Sequence, residues 1–173
     1  VSDPFVEQYL QSMRRRFRGL KDLADRALAQ VQDEELDRQI DSEANSVALL
    51  VKHLAGNMRA RWRAPFNSDG EEERERDREF KSEAQDTRTD LMERWEEGWR
   101  CLFEILDALY AEDLSRTLQI RGQSYSVMEA LNRQLVHYAG HVGQIVLLAK
   151  HHRSGDWQSL SIPRGQSAEF KPR

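Results

Sequence analysis

Apolar residues recur along the first thirty or so positions at steps of three and four: Val6, Leu10, Met13, Phe17, Leu20, Ala24, Ala27 and Val31. That period lays one apolar stripe along an α-helix, with arginines and acids on the opposite face. Asp3-Pro4 supplies the start signal, an N-cap followed by proline at the first helical position. A second helix is predicted over about residues 42–63, ended by Ala64-Pro65. Its core face is Val47, Leu50, Val51, Leu54 and Met58. Asn67-Ser68-Asp69-Gly70 then marks a turn, and every residue from Glu71 to Glu79 is charged. The mixed acids and arginines predict a solvated loop or helical extension with no chemical role.

A third helix is expected over about residues 83–110, with Leu91, Trp95, Leu102, Leu106 and Leu109 along one side. Gly98 allows a neighbour to approach, and Trp95 and Trp99 read as core. Thr117 to Ile120 and Ser124 to Ser126 flank Arg121-Gly122-Gln123, the pattern of a short hairpin or extended turn. Ser126 and Glu129 have capping-box spacing, so the fourth helix should start at Val127 and run to about His151. This helix is apolar on nearly every side, which places it at the centre of a bundle or at a subunit interface. The tail, 154–173, has no helical period and is expected to pack as an irregular strap.

The 173 residues suffice for one all-α domain, a bundle of four to five helices. Charged residues make up 32% and apolar ones 39%, so a single core can be filled. Nine glycines and four prolines argue against a turn-rich all-β fold. A net charge of −4 provides no global attraction to nucleic acid or to anionic membrane. Arg14, Arg15, Arg16 and Arg18 read as a solvated helix face. The longest uncharged stretch, Gln134 to Ala149, is too short and too polar to span a bilayer. Cys101 is the sole cysteine, so no intramolecular disulfide can form. With no signal-peptide pattern before the domain, this leads to the expectation of a cytoplasmic protein, although the absent initiator Met points to a processed or trimmed start.

Candidate chemistry centres on His137-Tyr-Ala-Gly-His141 in the fourth helix. Residues four apart lie about 40° apart on a helix, so both rings leave from one side and can share an ion. Such pairs are more often structural than metal-binding. Here, however, Gln134, Gln144, Gly140 and Gly143 interrupt an otherwise apolar helix, and buried polar groups need partners. The glycines also permit close helix approach. A third ligand must come from another helix. His53 is the natural candidate, on a narrow polar strip with Ser46 and Asn57. The alternative is a boundary histidine bonded to a neighbour. His151 and His152 fit the favourable helix C-terminus and are left outside the site.

Three separated blocks, His53-Leu-Ala-Gly-Asn57-Met-Arg-Ala-Arg61-Trp62, Ile120-Arg-Gly-Gln-Ser-Tyr-Ser-Val127 and His137-Tyr-Ala-Gly-His141-Val-Gly-Gln-Ile145, resemble the DinB-like superfamily. With the tail Ser159-Leu-Ser-Ile-Pro-Arg-Gly-Gln166, the chain looks like its bacterial DUF1572 branch. The resemblance implies a four-helix bundle, often a homodimer, with a three-histidine metal site. One ligand would come from the second helix and two from the fourth. It assigns His53, His137 and His141 as ligands of one divalent metal ion, and position suggests Asn57, Gln134 and Gln144 as second-shell or pocket residues.

No Glu-x-x-His pair, His-Glu-x-x-His motif, phosphate loop or nucleophile elbow occurs, and no basic recognition helix for nucleic acid. Three neutral ligands leave an ion its full charge and an open position, unlike closed four-ligand structural zinc sites. Nitrogen donors are compatible with zinc, nickel, iron or copper. DinB-like relatives include metal-dependent transferases that use low-molecular-weight thiols, which implies an enzyme of that type with a thiol or other small-molecule substrate. No general base is evident. The alternatives are a non-enzymatic, metal-stabilised, stress-associated dimer and a purely structural histidine cluster.

Overall fold

The computed structural model describes residues 4–72, 74–83 and 86–169. The protein is mostly helical with a small two-stranded sheet. Helix α1 covers Pro4–Leu28, α2 Val47–Trp62, the single turn α3 Arg76–Glu79, α4 Arg88–Ala108 and α5 Val127–Arg153. Strands β1, Thr117–Ile120, and β2, Gln123–Ser126, lie between α4 and α5.

The α1 stripe is buried as expected at Leu10, Met13, Phe17, Ala24 and Ala27. The helix stops at Leu28, and Val31 reaches the core from the turn beyond it. Helix α2 starts five residues later than predicted. The Asp41 carboxylate accepts from the amides of Glu43 and Ala44, and the Ser46 hydroxyl accepts from Leu49 N at the true N-terminus. These side-chain bonds hold the preceding chain in turns and fix the helix start. Helix α4 likewise begins late, capped by Thr87.

Helices α1, α2, α4 and α5 contribute to one core, with Trp62, Trp95, Trp99 and Tyr138 its largest fully buried side chains. A Cβ on Gly98 would stand 3.0 Å from Ala55 Cα, so this glycine lets α4 lie against α2. The hairpin pairs Thr117 with Ser126 and Ile120 with Gln123. Its two-residue loop, Arg121 and Gly122, has φ values of 52° and 71°, the left-handed pair that matches strand twist. The Ser126–Glu129 capping box opens α5 at Val127, as read from the spacing.

Of the two places expected for the last helix, the bundle centre is not where it lies. The helix buried on nearly all sides is α2; α5 leaves Val136 75% and Leu147 62% exposed. Gly140 and Gly143 have open space where a Cβ would be, so neither mediates helix approach within the chain. The tail is a strap: Arg26 of α1 and Gln30 in the turn after it bind the backbone of Leu160 and Gln158, while Trp157 and Leu160 rest on the core. Its last residues, 170–173, lie outside the described ones. No helix among the described residues is long and apolar enough to cross a membrane.

Candidate metal centre

Helices α2 and α5 face each other where His53 looks out of α2 and the i, i+4 pair His137 and His141 looks out of α5. His137 Nε2 lies 3.2 Å from His53 Nε2 and 3.1 Å from His141 Nε2. One ligand atom from each of the three residues lies within 4.8 Å of the others, an arrangement that could hold a metal ion. Nitrogens about 2.0–2.1 Å from a tetrahedral ion stand roughly 3.3 Å apart, so the two short separations fit that donor set.

The far side of each ring explains why. His53 Nδ1 lies 3.0 Å from Glu79 Oε2, His137 Nδ1 3.3 Å from Gln134 Oε1, and His141 Nδ1 2.8 Å from Gln144 Oε1. Each partner atom is an acceptor, an arrangement that favours the tautomer with the proton on Nδ1. The Nε2 atoms of His53 and His141 both approach that of His137, and lone pairs so close repel one another unless a cation or a proton lies between them. A cation resolves that repulsion.

Electrostatics keep the His137 and His141 rings neutral. Burial, then the neighbouring His141 and His53, pushes His137 down to about 4. Burial also lowers His141, against the Gln144 hydrogen bond. For Glu79, burial favours protonation, but the His53 hydrogen bond and the Arg74 guanidinium outweigh it and hold the carboxyl below its usual range.

Glu79 and Arg74 are the residues the sequence reading missed. The run 71–79 does not simply dangle in solvent. Arg74 grips Glu79 with two parallel bonds, Nε to Oε1 and Nη2 to Oε2, both 2.7 Å, and its side chain is 3% exposed. Glu79 lies against α2 because residue 56 is glycine; a Cβ there would be 2.2 Å from Glu79 Oε1. Phe80 follows and covers the His53 ring at 4.9 Å between centroids. One residue before His53, Lys52 donates to Lys81 O and to Asp86 Oδ2, both at 2.6 Å, and pins the segment from its other end. Alternating charge suggested solvation. The only contrary signal was local: Lys52 and His53 stand side by side in a core helix and need partners.

The polar strip drawn through Ser46, His53 and Asn57 comes apart. Ser46 is the α2 cap, and Asn57 accepts from the Tyr138 hydroxyl at 3.1 Å, which in turn accepts from Trp62 Nε1 at 3.0 Å. Asn57 still lines a cleft of about 650 Å³ that opens beside His53, His137 and Gln134. His151 and His152 lie in the last turn of α5 with Lys150 and Arg153. Cys101 is buried on α4, and burial pushes its thiol up, away from reactivity.

The family described as "Protein of unknown function (DUF1572)" matches residues 4–166. No curated protein matches the chain.

Proposed function

Because the chain belongs to the DUF1572 family, which has no known function, we propose from its own geometry that it binds one divalent transition-metal ion through Nε2 of His53, His137 and His141. The observation that carries this is the arrangement of the rings, with Nε2 of His53 and of His141 beside that of His137 and each Nδ1 turned to Glu79, Gln134 or Gln144. Zinc, nickel and iron all suit such nitrogen donors. When bound, the ion would supply Lewis acidity to a thiol, water or carbonyl group of a ligand in the adjoining cleft. Glu79 holds the His53 ring, the two glutamines hold the other two, and Phe80 packs against His53. The chain's own thiol is remote in character from such chemistry, so a reacting sulfur would belong to the ligand.

We read the fold as a DinB-like four-helix bundle, supported by the four long helices around one core. On that reading the protein is a metal-dependent, thiol S-transferase-like enzyme with a low-molecular-weight thiol as cosubstrate. The buried free cysteine supports a reducing, cytoplasmic setting. A second reading, a non-enzymatic metal-stapled homodimer, draws on Val136 and Leu147, exposed on α5 beside glycines with open space. Sedimentation equilibrium distinguishes a dimer from a monomer.

The decisive measurement is elemental analysis of untagged protein purified without added metal, where we expect about one ion per chain. His137→Ala should abolish binding with the helical circular dichroism retained. Protein that carries no metal, and takes up no Zn²⁺, Ni²⁺ or Fe²⁺ on titration, would sink the proposal. Turnover of a thiol with monochlorobimane that is unaffected by His53→Ala would rule out the catalytic part.

A further inference from the structure

The cleft beside the histidines has a charge opposite to that of the protein. The chain carries a net −4, yet Arg61, Arg76, Arg121 and Arg133 line this cleft and no acidic residue does, among the described residues. The four come from separate elements, α2, α3, the hairpin loop and α5, and converge only in the folded state.

Among the described residues, only one carboxylate, Glu71, pairs with any of these four arginines. Arg61 is buried and uses Glu71 and the Asp69 carbonyl. Glu71 is also the acid facing Arg121, at 3.9 Å, and Arg74, at 3.5 Å, and of these Arg74 is held chiefly by Glu79. Arg76 forms no ion pair with a described residue. Among the described residues, Arg133 overhangs the Tyr125 ring, 5.5 Å from its centroid, and forms no ion pair. Burial and then Arg76, Arg74 and Arg133 weaken the hold of Arg121 on its proton, which shows these cations lie close enough to repel one another. Arg121 also occupies a left-handed backbone position, φ 52°, where asparagine or glycine is the natural choice. A long cationic side chain kept at a strained turn, aimed among other cations, needs a reason outside the fold.

We propose that this cleft binds an oxyanion, the carboxylate or phosphate of a small organic ligand, with Arg121, Arg133 and Arg76 as the receiving groups. Guanidiniums bind both anions through paired N–H donors, and a volume of about 650 Å³ suits a small molecule. Since His53 and His137 line the same cleft, the anion would anchor a ligand whose other end meets the metal; that last link rests on the function proposed above, whereas the anion site does not.

The test is calorimetric titration of inorganic phosphate and, separately, succinate into the full chain at low ionic strength, as purified and after chelation of metal. Wild-type protein should bind at least one of them in both states, and the tighter of the two identifies the oxyanion. Arg121→Gln/Arg133→Gln should weaken it at least tenfold while metal content stays at the wild-type level. A double variant on α1, Arg15→Gln/Arg16→Gln, should bind as wild type. Binding of neither anion to wild type, equal binding by the cleft variant, or an equal loss in the α1 control would overturn the proposal. If wild type takes up no metal, the metal proposal fails, and the chelated-state titration still decides the anion site.

Discussion

Two arginine-rich stretches of this chain have similar composition and opposite fates. In α1, Arg15, Arg16 and Arg18 are exposed, while Arg14 reaches across to the Leu106 and Leu109 carbonyls at the end of α4, at 3.2 and 3.0 Å. Arg18 pairs with Asp107 in the same last turn, at 2.8 Å. These side chains complement the negative end of a helix and otherwise meet water. In the 71–79 run, Arg74 and Glu79 are taken out of water and aimed at a histidine. Charge density does not separate the two. What lies opposite does: the α1 run faces solvent, whereas the second run folds over α2, where Lys52 and His53 are buried and Gly56 leaves room for a carboxylate. A charge is buried where another buried polar group requires it.

The contrast can be broken most severely at Lys52. Lys52→Ala leaves Asp86, whose side chain is 1% exposed, with only Arg94 and the Glu83 amide as partners among the described residues, and releases the segment from α2. We expect a loss of about 3 kcal/mol in urea unfolding, as for other buried pairs missing one partner. A loss under about 1 kcal/mol would mean the pair does not hold the segment.

Next comes Glu79→Gln, which should weaken metal binding about 10–100-fold without changing helix content. Gly56→Ala should weaken it similarly, since its Cβ would displace Glu79. Unchanged affinity in both would remove the carboxylate from the site.

Acid should expose the same asymmetry in metal-free protein. His137 has a folded-state value of about 4 against an ordinary 6.5, so the unfolded chain binds its proton first. Its contribution is complete above about pH 6.5 and is lost as pH falls through about 4. For a half-buried ring screened by solvent we expect on the order of 1 kcal/mol between pH 7 and pH 5. His137→Ala should flatten that slope, and an equal slope in the variant would contradict the assignment.

The smallest effects belong to α1. Arg14→Ala should cost about 1–2 kcal/mol through its two carbonyl bonds, and Arg15→Ala no more than about 0.5. Neither should change metal affinity. A fall in affinity with either would show that the two stretches are coupled.

The site was partly legible in the sequence, and the reason is distance along the chain. His137 and His141 share a side because helical geometry acts over four residues, and Gln134 and Gln144 stand three residues from the rings they meet. His53 is joined to them only across the core and was reached with the help of resemblance. Glu79 is 26 residues from His53, with Arg74 behind it, and nothing in the periodicity of a charged run foretold that closure. The outward face of α5 stays open for a related reason: an apolar composition fits a bundle centre or a subunit interface and does not say which.

The sequence by itself determined the helical class, the hairpin before the last helix and the capping box at Ser126, because apolar period, turn residues and caps are short-range. It also placed two of the three histidines on one helix face. Only tertiary structure decided that α2 is the helix buried on nearly all sides, that Glu79 and not water meets His53, and that four arginines line one cleft. Those outcomes depend on which buried polar groups lack partners after the helices pack, and on where a glycine leaves room to supply one.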